Sequence, residues 1–395
     1  MKKILFISWD GPQTKYMEGL FLPIFKQITK EAEFEFHVLH FTWGDNLKST
    51  RLVDIADEMD IRYTALPILR KPIAALGSLF SLFTGAKKIE RYIKHHQINI
   101  VMPRSTMPAI MVNSIKRKNF KVIFDADGLP LEERVDFSGL SKESLQYRLL
   151  KRQEGVILRA ADRVITRSEK SINIHLKTIG EQFRDKFAVV LNGRDTATFQ
   201  QNTDARQLTR AMFDVKSEEK LFVYCGSMGP QYCLEEMIDI FSEYALLHPA
   251  KWLIICNDIS YVLQGLDEVL IDKVKIVSSS ADEVANLLNA ADVAFALRKP
   301  AFSMQGVAPI KLGEYLLMGL PTVASKGIGD TEEVLKNFEN CFLYDHSLPG
   351  QNKKVLGWLN GLNNNVVMNR EKAVAAFSLQ AASTSYINVL KGMDA

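Results

Sequence analysis

Short apolar runs alternate with longer stretches of helical periodicity along the whole chain. Ile4–Ser8 is an apolar run that ends in a Gly/Pro turn. Tyr16–Lys30 follows, with Met17, Leu20, Phe21, Ile24, Phe25 and Ile28 at helical spacing. Phe34–Phe41, Arg62–Leu66, Ile98–Pro103, Lys121–Asp125, Arg163–Arg167 and Ala188–Leu191 are predicted strands. Helices are predicted between them at Asn46–Met59, Ile73–His96, Pro108–Arg117, Lys142–Ala161 and Glu169–Lys177. Strands spaced by helices of this length imply parallel sheet built from right-handed crossovers.

The second half repeats the grammar. Its predicted strands are Leu221–Cys225, Trp252–Cys256, Val274–Val277, Asp292–Leu297 and Pro321–Ala324. Helices are predicted at Cys233–His248, Tyr261–Val269, Asp282–Ala290 and Lys311–Met318. Between the halves, Asn192–Arg210 is rich in Thr, Asn, Gln and Asp, the composition of a linker. The predicted organisation is therefore an α/β chain of two doubly wound, Rossmann-like domains, residues 1–195 and 196–368, facing each other across a cleft. A final helix within 369–395 is expected to pack back toward the first domain. In open α/β sheets, ligands bind beyond the carboxyl ends of the strands.

With 395 residues, 47% hydrophobic and 24% charged, the composition is that of an ordinary globular protein large enough to bury cores without disulfides or a structural metal. The four cysteines, Cys225, Cys233, Cys256 and Cys341, form no C-x-x-C pair and no metal-ligand spacing with His. The apolar run Ile4–Trp9 stops at Asp10 and is too short for a signal-peptide core, so a cytoplasmic location is expected. The longest uncharged, mostly apolar stretch is Pro72–Ala86, short of the ~20 residues a helix needs to span a bilayer.

Net charge is +3, too bland for a nucleic-acid binder, but its distribution is uneven. From Leu66 to Lys121 there are eleven basic residues and one acid, Glu90, a net +10 that leaves −7 for the rest. The same window holds Leu76, Leu79, Phe80, Leu82 and Phe83. An apolar segment flanked by Lys and Arg suits peripheral contact with an anionic membrane through residues 70–118. The alternative is a core-facing apolar side with a solvated basic face. Without an aromatic platform among the basic residues, nucleic acid is not expected as a partner.

Three segments carry chemistry in a recognisable frame. They are Val190-Leu-Asn-Gly-Arg-Asp-Thr-Ala-Thr-Phe199, Phe222-Val-Tyr-Cys-Gly-Ser-Met-Gly229 and Pro309-Ile-Lys-Leu-Gly-Glu-Tyr-Leu-Leu-Met-Gly-Leu-Pro-Thr-Val-Ala-Ser325, the last continuing to Gly329-Asp330. Weaker echoes lie at Phe124–Glu133 and Ala160–Glu169. In this order they resemble the retaining glycosyltransferases of family 4, which have the two-Rossmann-domain GT-B fold. The resemblance implies that Glu314 accepts hydrogen bonds from both ribose hydroxyls of a nucleotide sugar and that Lys311, three residues earlier on the same face, meets the diphosphate. Gly226 and Ser227 either form a loop whose backbone N–H groups approach phosphate or simply make a tight turn, and Asn192 belongs to the interdomain signature. Gly11, with Asp10 beside it, either approaches the donor phosphate or the acceptor, or simply closes a turn.

The chain also departs from that pattern. The first carboxylate of the family's paired Glu would fall at Gly306. The Arg and Lys common after the first glycine of the donor loop are absent; Arg298 or Lys299 either substitutes or is a surface charge. The His common after the strand Lys121–Asp125 is replaced by Asp127, which contacts a sugar or the acceptor, or caps a turn. Retaining transfer of this kind needs charge stabilised on the leaving diphosphate and an oriented acceptor. Asp127, Lys311 and Arg298 are the catalytic candidates. Gly226, Ser227, Lys311, Glu314, Gly11 and Asn192 are the donor-binding ones. No cofactor and no metal site is expected.

The resemblance thus implies metal-independent, hexosyltransferase-like transfer from a UDP- or GDP-sugar to a glycan or lipid-linked glycan acceptor, in surface polysaccharide or glycoconjugate synthesis. The departures leave a second reading open, a nucleotide-sugar-binding or assembly subunit without turnover.

Overall fold

Strand β1 (Lys2–Trp9) takes Ile4, Leu5, Phe6 and Ile7 wholly out of solvent, as a strand covered on both faces of a parallel sheet must. In the computed structural model, which describes residues 1–393 except 13, 45, 72, 117–118 and 363–369, β1 is the third strand of a seven-stranded sheet. The others are β2 (Phe34–Thr42), β3 (Arg62–Pro67), β4 (Ile100–Pro103), β5 (Lys121–Asp125), β6 (Arg163–Thr166) and β7 (Phe187–Val189). The spatial order is β3-β2-β1-β4-β5-β6-β7, every pair parallel. A second, six-stranded sheet holds β8 (Lys220–Cys225), β9 (Ala250–Ile255), β10 (Val274–Val277), β11 (Val293–Ala296), β12 (Thr322–Ser325) and β13 (Cys341–Tyr344) in the order β10-β9-β8-β11-β12-β13, again all parallel. Both sheets reverse their winding beside their first strand, between β1 and β4 and between β8 and β11. Such switch points open a crevice at the strands' carboxyl ends.

The chain forms two compact units. One comprises Met1–Gly193 with Leu379–Ala395, the other Arg194–Ser378. In the first, Phe6 packs its ring 4.8 Å from Phe21 and 5.0 Å from Phe25. In the second, Trp252 lies 5.4 Å from Phe241 and 5.6 Å from Phe295. Burying one such aromatic stabilises the fold by about 1.5–3 kcal/mol.

Four local readings of the sequence need correction. The expected single helix Tyr16–Lys30 opens with a π-turn, Met17–Phe21, before the α-helix Leu22–Glu31. Pro23 has no N–H for the α-helical ladder, and the turn before it widens so that Leu22 donates to the Met17 carbonyl. The polar Asn192–Arg210 segment is not linker throughout, because Thr203–Met212 is a helix. Asn202 caps it by accepting from Ala205 N–H at 2.9 Å, and Arg206 and Arg210 clasp Asp292 at 2.6 and 3.0 Å. The tail is two helices, Arg370–Phe377 and Leu379–Lys391, broken at Ser378, which bridges to Arg194. Only the second belongs with the first unit, where it packs on Leu22–Glu31; the first belongs with the second unit. The stretch Tyr261–Val269 is the helix Ile259–Gly265 followed by a 3₁₀ turn, Glu268–Lys273. Pro72, Arg117, Lys118 and Asn369, which figured in the expectations, lie outside the described residues.

Candidate functional site

At the switch point of the second sheet, β8 is followed by Gly226, whose φ of +129° is open to glycine and strained for other residues. A Cβ there would stand 3.1 Å from the Lys311 ammonium. Lys311 rises from the first turn of the helix Ile310–Leu317, and its Nζ donates to Tyr224 Oη at 2.6 Å. Tyr224 in turn donates to the Ser227 carbonyl, fixing the loop. The ammonium lies 4.0 Å from the centre of the Tyr224 ring and 4.6 Å from that of Tyr232. Burial, reinforced by the Arg298 charge, pushes the Lys311 pKa down to about 7. Arg298 follows β11. Its guanidinium sits over the Tyr232 ring at 4.9 Å and donates to Tyr232 Oη at 3.2 Å, while its Nε is buried without a hydrogen-bond partner. Its backbone N–H donates to Ser325 Oγ at 2.8 Å.

Glu314, one turn beyond Lys311, is buried and accepts a hydrogen bond from Arg194. Arg194 lies over the Phe199 ring at 5.0 Å and is tied to Phe377 through its backbone N–H. Two cationic side chains, two tyrosines and a carboxylate held by an arginine thus cluster at the carboxyl ends of β8 and β11, beside the Gly226–Ser227 loop. This set can take a polyanion beside a diol. A lysine amine whose pKa lies near neutrality takes up a proton when a phosphate approaches it.

A second cluster lies at the switch point of the first sheet. Arg104, after β4, is buried and donates to Asp127 at 2.6 Å, with Asp10 at 3.5 Å. Its guanidinium lies over Phe21 at 4.8 Å and Tyr16 at 5.4 Å, so the π-turn helps to position it. Burial pulls against its charge, but Asp127, Asp10 and Asp125 overcome that and hold Arg104 above its ordinary value. Arg167 donates to the wholly buried Asp125 at 2.8 Å and to Tyr386 at 3.2 Å. Asp127 adopts φ 52° and Ser105 φ 66°, left-handed values that non-glycine residues hold only when their surroundings enforce them. Burial raises the Asp127 pKa to about 6 against the pull of Arg104. Its side chain keeps 27% exposure, so a ligand can reach it. Ser8 Oγ, Arg104 Nε and Arg167 Nη1 are buried at these strand ends without hydrogen-bond partners.

Gly11 lies in the loop after β1, where its carbonyl accepts from both Thr14 N–H and Oγ1, and a Cβ would meet the Trp43 ring at 2.9 Å. Asn192 follows β7 in the first unit. Gly306 is buried in a short 3₁₀ turn, Ser303–Gly306, and the adjoining Met304 Sδ lies 3.5 Å from Arg298 Nη1.

No protein-family model matches the sequence, and no curated protein does. Solved structures do. HepE of Anabaena, in complex with UDP and glucose, is similar with a TM-score of 0.73 at 16% identity, over 99% of this chain and 100% of that one. A glycosyltransferase from Rickettsia africae ESF-5 is similar with a TM-score of 0.71 at 16% identity, over 100% of this chain and 99% of that one. The chain has the GT-B fold. WaaG, a glycosyltransferase involved in lipopolysaccharide biosynthesis, shares it with a TM-score of 0.64 at 16% identity, over 99% of this chain and 98% of that one.

Within this GT-B chain, Gly226, Ser227, Arg298, Lys311 and Glu314 come together in the second unit. Asp127 and Gly11 lie in the first unit, as does Asn192. Arg298 is not a loose surface charge, since it is stacked and hydrogen-bonded. Sequence reasoning missed Arg104, Arg167 and Tyr386 around Asp127, and Arg194, Tyr224 and Tyr232 around Lys311. Arg194 stood inside the Asn-Gly-Arg-Asp signature, and Arg104 directly follows a strand end. The partners of both are far away in sequence. The thiol of Cys233 also lies near Glu236 and His346, all three ligand atoms within 4.8 Å of one another. Burial, with Glu236 close by, keeps that thiol protonated at neutral pH.

Proposed function

We propose that this protein is a glycosyltransferase using a nucleotide-sugar donor, a UDP- or GDP-sugar, with a glycan or lipid-linked glycan as acceptor in surface polysaccharide or glycoconjugate synthesis on the cytoplasmic side of the membrane. The observation that carries this reading is the crevice at the β8/β11 switch point. Lys311 and Arg298 share the Tyr232 ring, with Lys311 also over Tyr224, where a diphosphate would lie, and Glu314 stands one helical turn away where a ribose would lie. The ligands in the solved complexes of HepE, UDP with glucose and UDP-glucose, support it by analogy of fold.

In this reading Lys311 and Arg298 stabilise the negative charge that grows on the departing diphosphate. Glu314, oriented by Arg194, holds the ribose diol. Asp127 accepts a hydrogen bond from an acceptor hydroxyl and orients it. Transfer is retaining, with the leaving diphosphate helping to deprotonate the acceptor. It is metal-independent: Asp125 and Asp127 are engaged by Arg167 and Arg104 respectively, which supports a role other than holding a metal as an Asp-x-Asp pair.

One observation favours a second reading. Gly306 stands where the first family carboxylate is expected, so a subunit that binds nucleotide sugar without turning it over is the alternative. Incubation with UDP- and GDP-sugars and a panel of glycan acceptors separates them. Release of UDP or GDP with product formation, lost in Glu314→Ala, is the expected result. Binding without any turnover favours the subunit, and neither binding nor turnover sinks both.

A further inference from the structure

The helix Ala74–His96 of the first unit is built inside out over its first half. Its buried row is Gly77, Ser81, Gly85, Ile89 and Ile93, four residues apart. The small members of that row let the helix sit tight against the body. A Cβ on Gly77 would come within 2.3 Å of the Leu69 carbonyl oxygen, and one on Gly85 within 2.4 Å of Met111 Sδ. Ser81 is fixed by donating to the Gly77 carbonyl and accepting from Leu69 N–H. The large apolar side chains consequently point outward. Ile73 is 61% exposed, Leu76 56%, Leu79 52%, Phe80 57% and Phe83 71%. Core packing, the alternative the sequence left open, does not account for them. Leu82 and Ala86 are the ones that pack partly against the core.

Ile73, Leu76, Phe80 and Phe83 follow one another at three- and four-residue intervals along one face, and the same row continues to Lys87, Arg91 and Lys94. Arg70, Lys71, Lys87, Lys88 and Arg91 are all exposed around the apolar half. The acid of this region, Glu90, is paired with Lys94 at 2.9 Å. Two basic residues counted in the window do not belong to this surface: Arg104 is buried on Asp127, and Lys121 donates to the Met393 carbonyl.

We propose that this half-helix docks on an anionic lipid bilayer, lying in the plane of the interface. Residues 73–83 extend about 15 Å, with their side chains among the upper acyl chains and the flanking Lys and Arg on the lipid phosphates. No helix among the described residues is long and apolar enough to cross a membrane, which fits a segment that lies on the surface. Lipid is the occupant the charge selects. A contiguous exposed apolar row marks an interaction site, and a strongly net-basic surround, its one acid Glu90 paired with Lys94, is complementary to anionic headgroups.

The test is co-sedimentation with vesicles of phosphatidylcholine alone and of phosphatidylcholine with phosphatidylglycerol. Wild type pellets with the anionic vesicles and is released by added salt. Leu79→Ser/Phe80→Ser/Phe83→Ser and Lys87→Glu/Lys88→Glu/Arg91→Glu each lower the bound fraction about ten-fold, with thermal midpoints near wild type because the altered positions are exposed. Phe83→Trp gives a blue-shifted emission on anionic vesicles that brominated lipid quenches. Wild type that stays in the supernatant, or an apolar-row variant that binds equally well, overturns the proposal. So does a dimer in sedimentation velocity that the serine variant abolishes while vesicles recruit nothing, which would assign the face to a second copy. Vesicle binding needs neither donor nor acceptor, so its failure leaves the transferase reading standing.

Discussion

Asp127 shows how one residue's surroundings set its chemistry. Burial raises its pKa to about 6, and Arg104 at 2.6 Å is the strongest influence in the other direction. If Asp127 acts ionised on the acceptor, kcat/KM climbs as pH rises through about 6 and falls again as Lys311 loses its proton near 7. Asp127→Asn removes the rising limb, and Arg104→Gln moves it to higher pH because the opposing charge is gone. A pH–rate profile flat across pH 5–7 (roughly a unit either side of the Asp127 value) in wild type contradicts this role. The linkage to stability has a definite sign. A carboxyl raised in the fold favours folding most below its unfolded value of about 3.9, and that contribution is lost as pH rises through about 6. Asp127→Asn should therefore gain on wild type in thermal midpoint as pH rises across that window.

Single elements were legible where burial is two-sided. β1, β8 and β9 stood out as unbroken apolar runs because a parallel sheet covers both faces. The helix Thr203–Met212 was hidden, since only Thr209 of it is buried and its anchoring comes from charge. Asp292 accepts from Arg206, Arg210 and Leu221 N–H together. Asp292→Ala strands both arginines beside buried carbonyls and should cost about 2–4 kcal/mol, read from the denaturant midpoint. A change below about 0.5 kcal/mol, the range of ordinary surface substitutions, would contradict that anchoring role. The break at Ser378 was equally invisible, because helical periodicity runs through it and only pairing with Arg194, far away in sequence, marks it.

At the scale of the whole molecule, the doubled sheet grammar and the Lys311–Glu314 frame were readable because they are local patterns. The arginines that complete each cluster were not, because an ion pair such as Arg194–Glu314 or Arg104–Asp127 is made by the fold. The near-neutral net charge likewise concealed a helix whose apolar row faces outward. Only the burial of Gly77, Ser81 and Gly85 distinguishes that arrangement from a core-facing one. The central claim is that the β8/β11 crevice holds a nucleotide sugar through Lys311, Arg298 and Glu314. Calorimetric titration with UDP, GDP and their glucose conjugates at about pH 8, above the Lys311 value, in two buffers of different ionisation enthalpy, tests it most directly. The account predicts saturable binding by wild type with net proton uptake as Lys311 charges, at least about ten-fold weaker binding in Glu314→Gln, and loss of the proton uptake in Lys311→Met. Wild type that binds none of these ligands, or binds them with the same affinity and protonation as both variants, would contradict it.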